Sequence, residues 1–402
     1  KGEAERAALP VCLDGRIHGA AGDRYRFEAK KGMTVVALAE SRVRPFGGFC
    51  PALAFEDAAG KACEGVVLQA NDETPAAVFE VPQDGVYALT VKAAGKAVGD
   101  ACVYRVKLGE LPLITGFSPP GAKEGESLNV KLSGYNLAQK RVRLFTGGKD
   151  GALCLETLSA GAFVLPGLRF DLAGEPDVAE NEPNDAAASA QPVDVPGVVN
   201  GRLDAAGGRD LYRFSGAAGS VVCVEVRAAA LGSALKAAVT VRNAKGETVA
   251  AAAFNTNATL RAAVQARDPS VILTLADAGP YEVEVADLEG RAGEAFFYRL
   301  RVGPPEPDFL AWMTPASLCI PADGSALVTV YLQRLHGFNG EVRVALDFPP
   351  LSIACEGGVI PAGADSCLMT VSTDGVRYPR TVFGLSLTAS AEIGGRLVKR
   401  TA

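Results

Sequence analysis

The sequence is poor in the residues that carry most enzyme chemistry. Among its 402 residues are two histidines, one tryptophan and three methionines. Nucleophilic catalysis by a Ser/His/Asp set needs a histidine beside a nucleophile. His18 reads as a turn residue and His336, in "RLHGFNG", as a loop residue; neither lies near a GxSxG stretch or a cysteine in a reactive context. Gly-rich phosphate loops are absent, which argues against nucleotide chemistry, and no pair of carboxylates is marked out for glycoside hydrolysis. We therefore expect no enzyme. The nine cysteines include no CxxC or Cys/His cluster, so no structural zinc site is expected. A net charge of −6 without a basic stripe argues against a nucleic-acid partner. No apolar run approaches the ~20 residues that cross a bilayer, so no membrane insertion is expected. Aromatics make up 7%, and Trp312 in "DFLAWMTP" falls where two units would meet; we expect it to pack between them, which leaves glycan stacking with little support.

What is present is globular in composition, 48% hydrophobic and 21% charged, and long enough for roughly two to four domains. The chain opens at Lys1 without a leader-like apolar stretch and closes on "GGRLVKRTA", and we expect a trimmed piece of a longer protein. Gly and Pro punctuate short runs such as "GVYALTV", "SLNVKLSG", "SVVCVEV" and "YEVEVAD", many alternating apolar and polar. Period-2 alternation is the mark of half-buried strands. The expected fold class is all-β: a tandem array of antiparallel β-sandwich domains, jelly-roll-like and Ig-like.

An internal repeat organises the array. "GRIHGAAGDRYRF" (15–27) matches "GRLDAAGGRDLYRF" (201–214) with one insertion; "DGVYALTV" matches "DAGPYEVEV" and "VYRVKL" matches "FYRLRV". Tyr87 to Tyr104 and Tyr281 to Tyr298 are both 17 residues. The expected units are 1–110 (first copy), 111–177, 178–304 (second copy) and 305–402. The shared tyrosines are expected to serve the core.

The second copy, "ENEPND…VNGRL…GGRDLYRF…GPYEVEV…FYRLRV", resembles the bacterial pre-peptidase C-terminal (PPC) domain, a small jelly-roll-like sandwich; the first copy resembles it more distantly. "ITGFSPPGAKEGESLNVKLSGYNL" resembles the start of an IPT/TIG Ig-like fold, and 305–402 resembles an Ig-like module of large secreted bacterial surface proteins. The resemblance implies a non-catalytic extracellular module that binds polysaccharide or protein, or spaces other domains of a parent protein. The alternative is an accessory region of a secreted protease or other hydrolase whose catalytic domain lies outside the chain. Either implies a secreted, periplasmic or cell-surface location.

"ENEPND" gathers Glu180, Glu182, Asn184 and Asp185 within six residues, four oxygen ligands of the kind a hard cation takes. Alternation sends Glu180, Glu182 and Asn184 to one side, Pro183 biases Glu182 toward extended backbone, and Asp210 is the candidate ligand from the folded unit. From the residues alone, a solvated linker fits as well, since exposed carboxylates several Å apart repel by under about 1 kcal/mol in water. The PPC resemblance implies calcium shared by these acids and Asp210, with one departure: relatives carry a second acid where Gly208 stands, and Asp204 is the residue that could replace it. The first copy lacks the motif, with His18 opposite Asp204, and is expected to bind no calcium; Asp23, opposite Asp210, reads as a strand-start or turn residue.

Cys12 and Cys102, and likewise Cys50 and Cys63, occur in the first copy and are absent from the second. Paired absence leads us to expect Cys12–Cys102 and Cys50–Cys63 bridges, with Cys355–Cys367 as a third; a short loop such as the last is worth about 3 kcal/mol in the chain-entropy model. The competing reading is that these are small buried apolar residues. Cys223 is expected to be a buried thiol.

Overall fold

The computed structural model describes residues 6–41, 50–70, 74–93, 102–123, 125–146, 153–156, 159–160, 163–164, 168–256, 267–315, 318, 320–321, 323–347, 352–373 and 386–401. Among these the regular structure is β-strand throughout, apart from two single 3-10 turns at Ala187–Ser189 and Ala229–Leu231. The protein is all-β, as its alternating runs require.

Two pairs of sheets share the order of their inner strands and differ at the edges. In the first, Arg6–Ala7, Asp23–Ala29, Gly85–Ala93 and Pro51–Glu56 lie side by side, opposite Val11–Arg16, Val103–Gly109, Thr34–Ser41, Thr74–Glu80 and Val66–Ala70. In the second, Gln191–Pro192, Arg209–Gly216, Gly279–Asp287, Ala237–Arg242 and Thr248–Ala253 form one sheet; Asp177–Ala179, Gly197–Arg202, Phe297–Gly303, Val221–Arg227 and Ser270–Thr274 form the other. Alternation builds each core. Tyr25, Phe27, Leu89, Tyr104 and Val106 close one, and Tyr212, Phe214, Val283, Tyr298 and Leu300 close the other. Each fully buried side chain of this size contributes roughly 1.5–3 kcal/mol.

Between these pairs, Leu113–Ser118, Ser127–Tyr135 and Arg141–Phe145 form a sheet near a second of Gly121–Lys123, Leu168–Ala173 and Leu153–Glu156. The C-terminal residues form Asp308–Thr314, Ser325–Leu335, Ser366–Thr373 and Ile353–Gly357 over Val359–Ile360, Val342–Asp347, Ser386–Ile393 and Arg396–Thr401. Trp312, in the strand that opens this unit, is half-buried. It pairs across strands with Tyr331 in its own sheet and stacks on that ring.

The second sandwich is joined to the region before it by a continuous core in which Leu231 and Phe297 pack with Phe117, Phe170 and Leu172. Buried charge runs beside that core. Arg299, 1% exposed, lies 3.1 Å from Asp171 and 3.0 Å from Asp177, and Arg227 lies 2.5 Å from Asp171. Burial works against the charge on Arg227, and Asp171 and Glu225 outweigh it, so its pKa is raised. Removing one member of such a cluster strands the others.

The expected disulfides do not form; the cysteines described carry no such bond. Strand register is the reason. Cys12 pairs with Lys107, five residues from Cys102, so the two lie about 16 Å apart along the strand, beyond the roughly 7 Å limit between Cα atoms of a bridge. The Cys63 amide donates to the Phe55 carbonyl, which sets Cys63 five residues away from Cys50. Cys355 pairs with Val371, four residues from Cys367. Register follows the apolar pattern, and a one-residue slip would turn every core side chain outward. Cys223 is fully buried and its thiol is pushed up to about 12, chiefly by burial.

Candidate metal site

The strand Arg209–Gly216 explains where Asp210 goes. Asp210, Tyr212 and Phe214 share one parity and face inward, so the carboxylate lies 1% exposed at the end of the core face. Across the sandwich Tyr298 sends its hydroxyl to Asp210 as a donor. The Tyr298 and Tyr212 hydroxyls are 2.7 Å apart, and Tyr212 donates to Glu180 Oε1 at 2.9 Å. Two phenols thus tie the buried aspartate to the entering segment.

That segment is held by backbone as well as by side chains. Asp177–Ala179 runs parallel to Gly197–Arg202, and the Glu180 amide donates to the Asn200 carbonyl. Glu180 Oε2 accepts from the Arg202 amide at 2.8 Å. Glu182 Oε2 accepts from the Asn184 amide at 2.9 Å, the Asn184 carbonyl accepts from the Leu211 amide, and the Glu182–Pro183 peptide is cis. The result brings one carboxylate oxygen each from Glu180, Glu182 and Asp210 within 4.8 Å of one another.

Asn184 is fully buried. Its Nδ2 donates to Glu180 Oε1 at 3.2 Å, and its Oδ1 has no partner. Asp185 is exposed and outside the three-carboxylate group, so the structure does not bring it to the cluster as expected. Asp204 is engaged by Arg202 at 2.5 Å. Gly208 has a local reason: a Cβ there would collide with the Ala205 carbonyl across the turn whose amide–carbonyl bond it closes. A second aspartate at that position would need a different turn.

The electrostatics are those of acids crowded without compensation. Burial, then Glu180, pushes the Asp210 carboxyl from 3.8 up to about 9. Glu182 is raised by partial burial, with Glu180, Asp185 and Asp204 adding to it and the Asn184 amide opposing. Two phenol protons must serve two carboxylates and a 2.7 Å oxygen–oxygen contact. A proton on Asp210 resolves this shortage, and so does a cation. The donor set is all oxygen, three carboxylates and one orphaned amide carbonyl, which fits a hard divalent ion.

The first sandwich repeats the tyrosine pair and its inward aspartate. Tyr104 donates to Asp23 Oδ2 at 2.5 Å, and Tyr25 and Tyr104 meet at 2.6 Å. Asp23 does begin its strand, yet it is also the anchor of a buried phenol, a role missed from sequence. The repeat carried the signal, since Asp23/Tyr25/Tyr104 and Asp210/Tyr212/Tyr298 occupy matching positions. The tyrosines fill the core and also build the site. His18 is exposed, and His336 places Nδ1 2.8 Å from the Glu306 carbonyl.

No protein-family model matches the chain, and no curated protein does. Among solved structures it is similar to the pre-peptidase C-terminal domain of collagenase from Bacillus anthracis, at 15% identity over 31% of this chain and 99% of that one, TM-score 0.23. A candidate secreted protein from Eubacterium rectale shares 7% identity over 72% of each chain, TM-score 0.18. A DUF4785 family protein from Legionella pneumophila shares 8% identity over 98% of this chain and 91% of that one, TM-score 0.15. These likenesses carry no part of the functional reading, which rests on the site.

Proposed function

We propose that the chain is a non-catalytic extracellular array that holds other parts of a secreted or surface protein at fixed spacing, and that calcium tightens it at the second sandwich. The observation that carries this reading is the convergence of Glu180, Glu182 and Asp210 within 4.8 Å beside the orphaned Asn184 Oδ1. Asp177, three residues before Glu180, is ion-paired to Arg299 in the buried junction with the preceding region. One short segment therefore serves both the acid cluster and the junction. A cation there would ionise the acids and fix the segment; Glu180, Glu182, Asp210 and Asn184 would hold it. The units 1–110, 111–177, 178–304 and 305–402 are the proposed modules.

The test is calorimetry of the whole chain in calcium and in chelator. Ligand linkage gives about 2.7 kcal/mol of added stability at one hundred times the dissociation constant. We expect that shift in the transition containing the second sandwich and its absence in Glu180→Gln. Identical melts in calcium and chelator remove the calcium reading. Independent melting of 111–177 and 178–304 removes the spacer reading.

A further inference from the structure

The C-terminal unit has a face that nothing above uses. Its sheet turns Val328, Val330, Met369 and Val371 into the core, so alternation points Trp312, Leu327, Thr329, Tyr331, Leu368 and Thr370 the other way. Leu327 and Leu368 are 56% and 57% exposed. In register, Leu327 stands beside Thr370 and Leu368 beside Thr329, so each of these two leucines has a hydroxyl as its cross-strand neighbour. Next to them Trp312 and Tyr331 form a directly paired couple with rings 16° from parallel and centroids 5.8 Å apart. Among the described residues, charge on this face is confined to the margins: Asp308, engaged by Arg400, and Glu356 on the outermost strand. In a chain that is 21% charged, a sheet face with an uncharged middle differs from an ordinary solvated face.

We propose that this face binds a neutral polysaccharide. Sugar rings present C–H faces and hydroxyl edges together, and the alternation of leucine with threonine beside an aromatic pair offers a partner to both. Trp and Tyr supply large amphipathic contact with few rotatable bonds. An anionic glycan would meet no cation among the described residues in the middle of the face and a protein of net charge −6. A second copy of the chain would need a contiguous apolar core within about 800 Å² per side, and here threonines interrupt the leucines. The site is independent of calcium and goes beyond the spacer reading.

Trp312 is the sole tryptophan, so its fluorescence reports this face alone. The probes are soluble xylan, galactomannan and mixed-linkage β-glucan, with polygalacturonate as the charged control. We expect at least one neutral polymer to change Trp312 emission, to protect it from acrylamide, and to retard the full chain in native gels equally in calcium and chelator. Leu368→Glu should weaken retardation at least tenfold, and Thr370→Lys, a milder surface change, should do the same with the melting temperature kept. The proposal is overturned by the absence of any response to all three neutral polymers. An equal response to polygalacturonate, or self-association that itself shields Trp312, also overturns it.

Discussion

At the scale of the residue, Asp210 decides most. Its folded-state pKa of about 9 lies above the unfolded value of 3.8. Such a group contributes stability when protonated, and that contribution is lost as pH rises from about 4 through about 9. Metal-free protein should therefore melt at progressively lower temperature from pH 5 to 9, and saturating calcium should cancel the decline by keeping the carboxylates ionised. Asp268, which accepts the amides of Ala228, Ala229 and Ala230 and is pushed up to about 7 by burial, acts in the same direction at lower pH. The portion above pH 7 isolates Asp210. Asp210→Asn should flatten that portion and abolish the calcium shift; a chelator melt that rises with pH would refute the assignment. The cysteines give a second residue-scale test. Cys12 is exposed and Cys223 fully buried, so native-state alkylation followed by mass spectrometry should label Cys12 promptly and Cys223 only after unfolding.

At the scale of the element, the strand Gly197–Arg202 shows why some positions are glycine. A Cβ on Gly201 would enter the Tyr298 ring, and one on Gly15 would enter the Tyr104 ring. Gly201→Ala should cost about 1–3 kcal/mol by overpacking and weaken calcium binding, since the displaced ring carries the hydroxyl that holds Asp210; Gly15→Ala should cost a similar amount with no effect on calcium. Denaturant melts with and without calcium check both. The long strands were legible because their alternation is clean, as in "YEVEVAD", whose odd-numbered Tyr281, Val283 and Val285 are buried. The parallel edge strands Arg6–Ala7, Asp177–Ala179 and Gln191–Pro192 were not, because two or three residues are too few to show a period. One of these edge strands leads directly into the acid cluster.

At the scale of the whole molecule, the junction before the second sandwich is the feature with consequences at a distance. Arg299 and Arg105 hold matching places in "FYRLRV" and "VYRVKL". Arg105 forms a half-exposed pair with Asp14 at 2.7 Å, whereas Arg299 is buried among Asp171 and Asp177. Exposed pairs are worth about 0–1 kcal/mol, while breaking a buried cluster costs about 3–5 kcal/mol. Arg299→Ala should thus lower the stability of the joined region by that amount and split its calorimetric transition in two. Arg105→Ala should leave both quantities nearly unchanged.

By itself the sequence determined the all-β class and displayed the internal repeat, and it singled out Glu180, Glu182 and Asp210, whose carboxylates the fold brings within 4.8 Å of one another, because alternation and repetition are properties of the chain read in one dimension. Only the tertiary structure decided that Asp185 stands apart and that Asn184 is buried against the cluster. It also decided that register separates the cysteines and that Trp312 pairs with Tyr331 on the side of its sheet turned away from the C-terminal core. Those outcomes depend on which residues meet across sheets, and cross-strand register and side-chain burial are set by the packing of the whole fold.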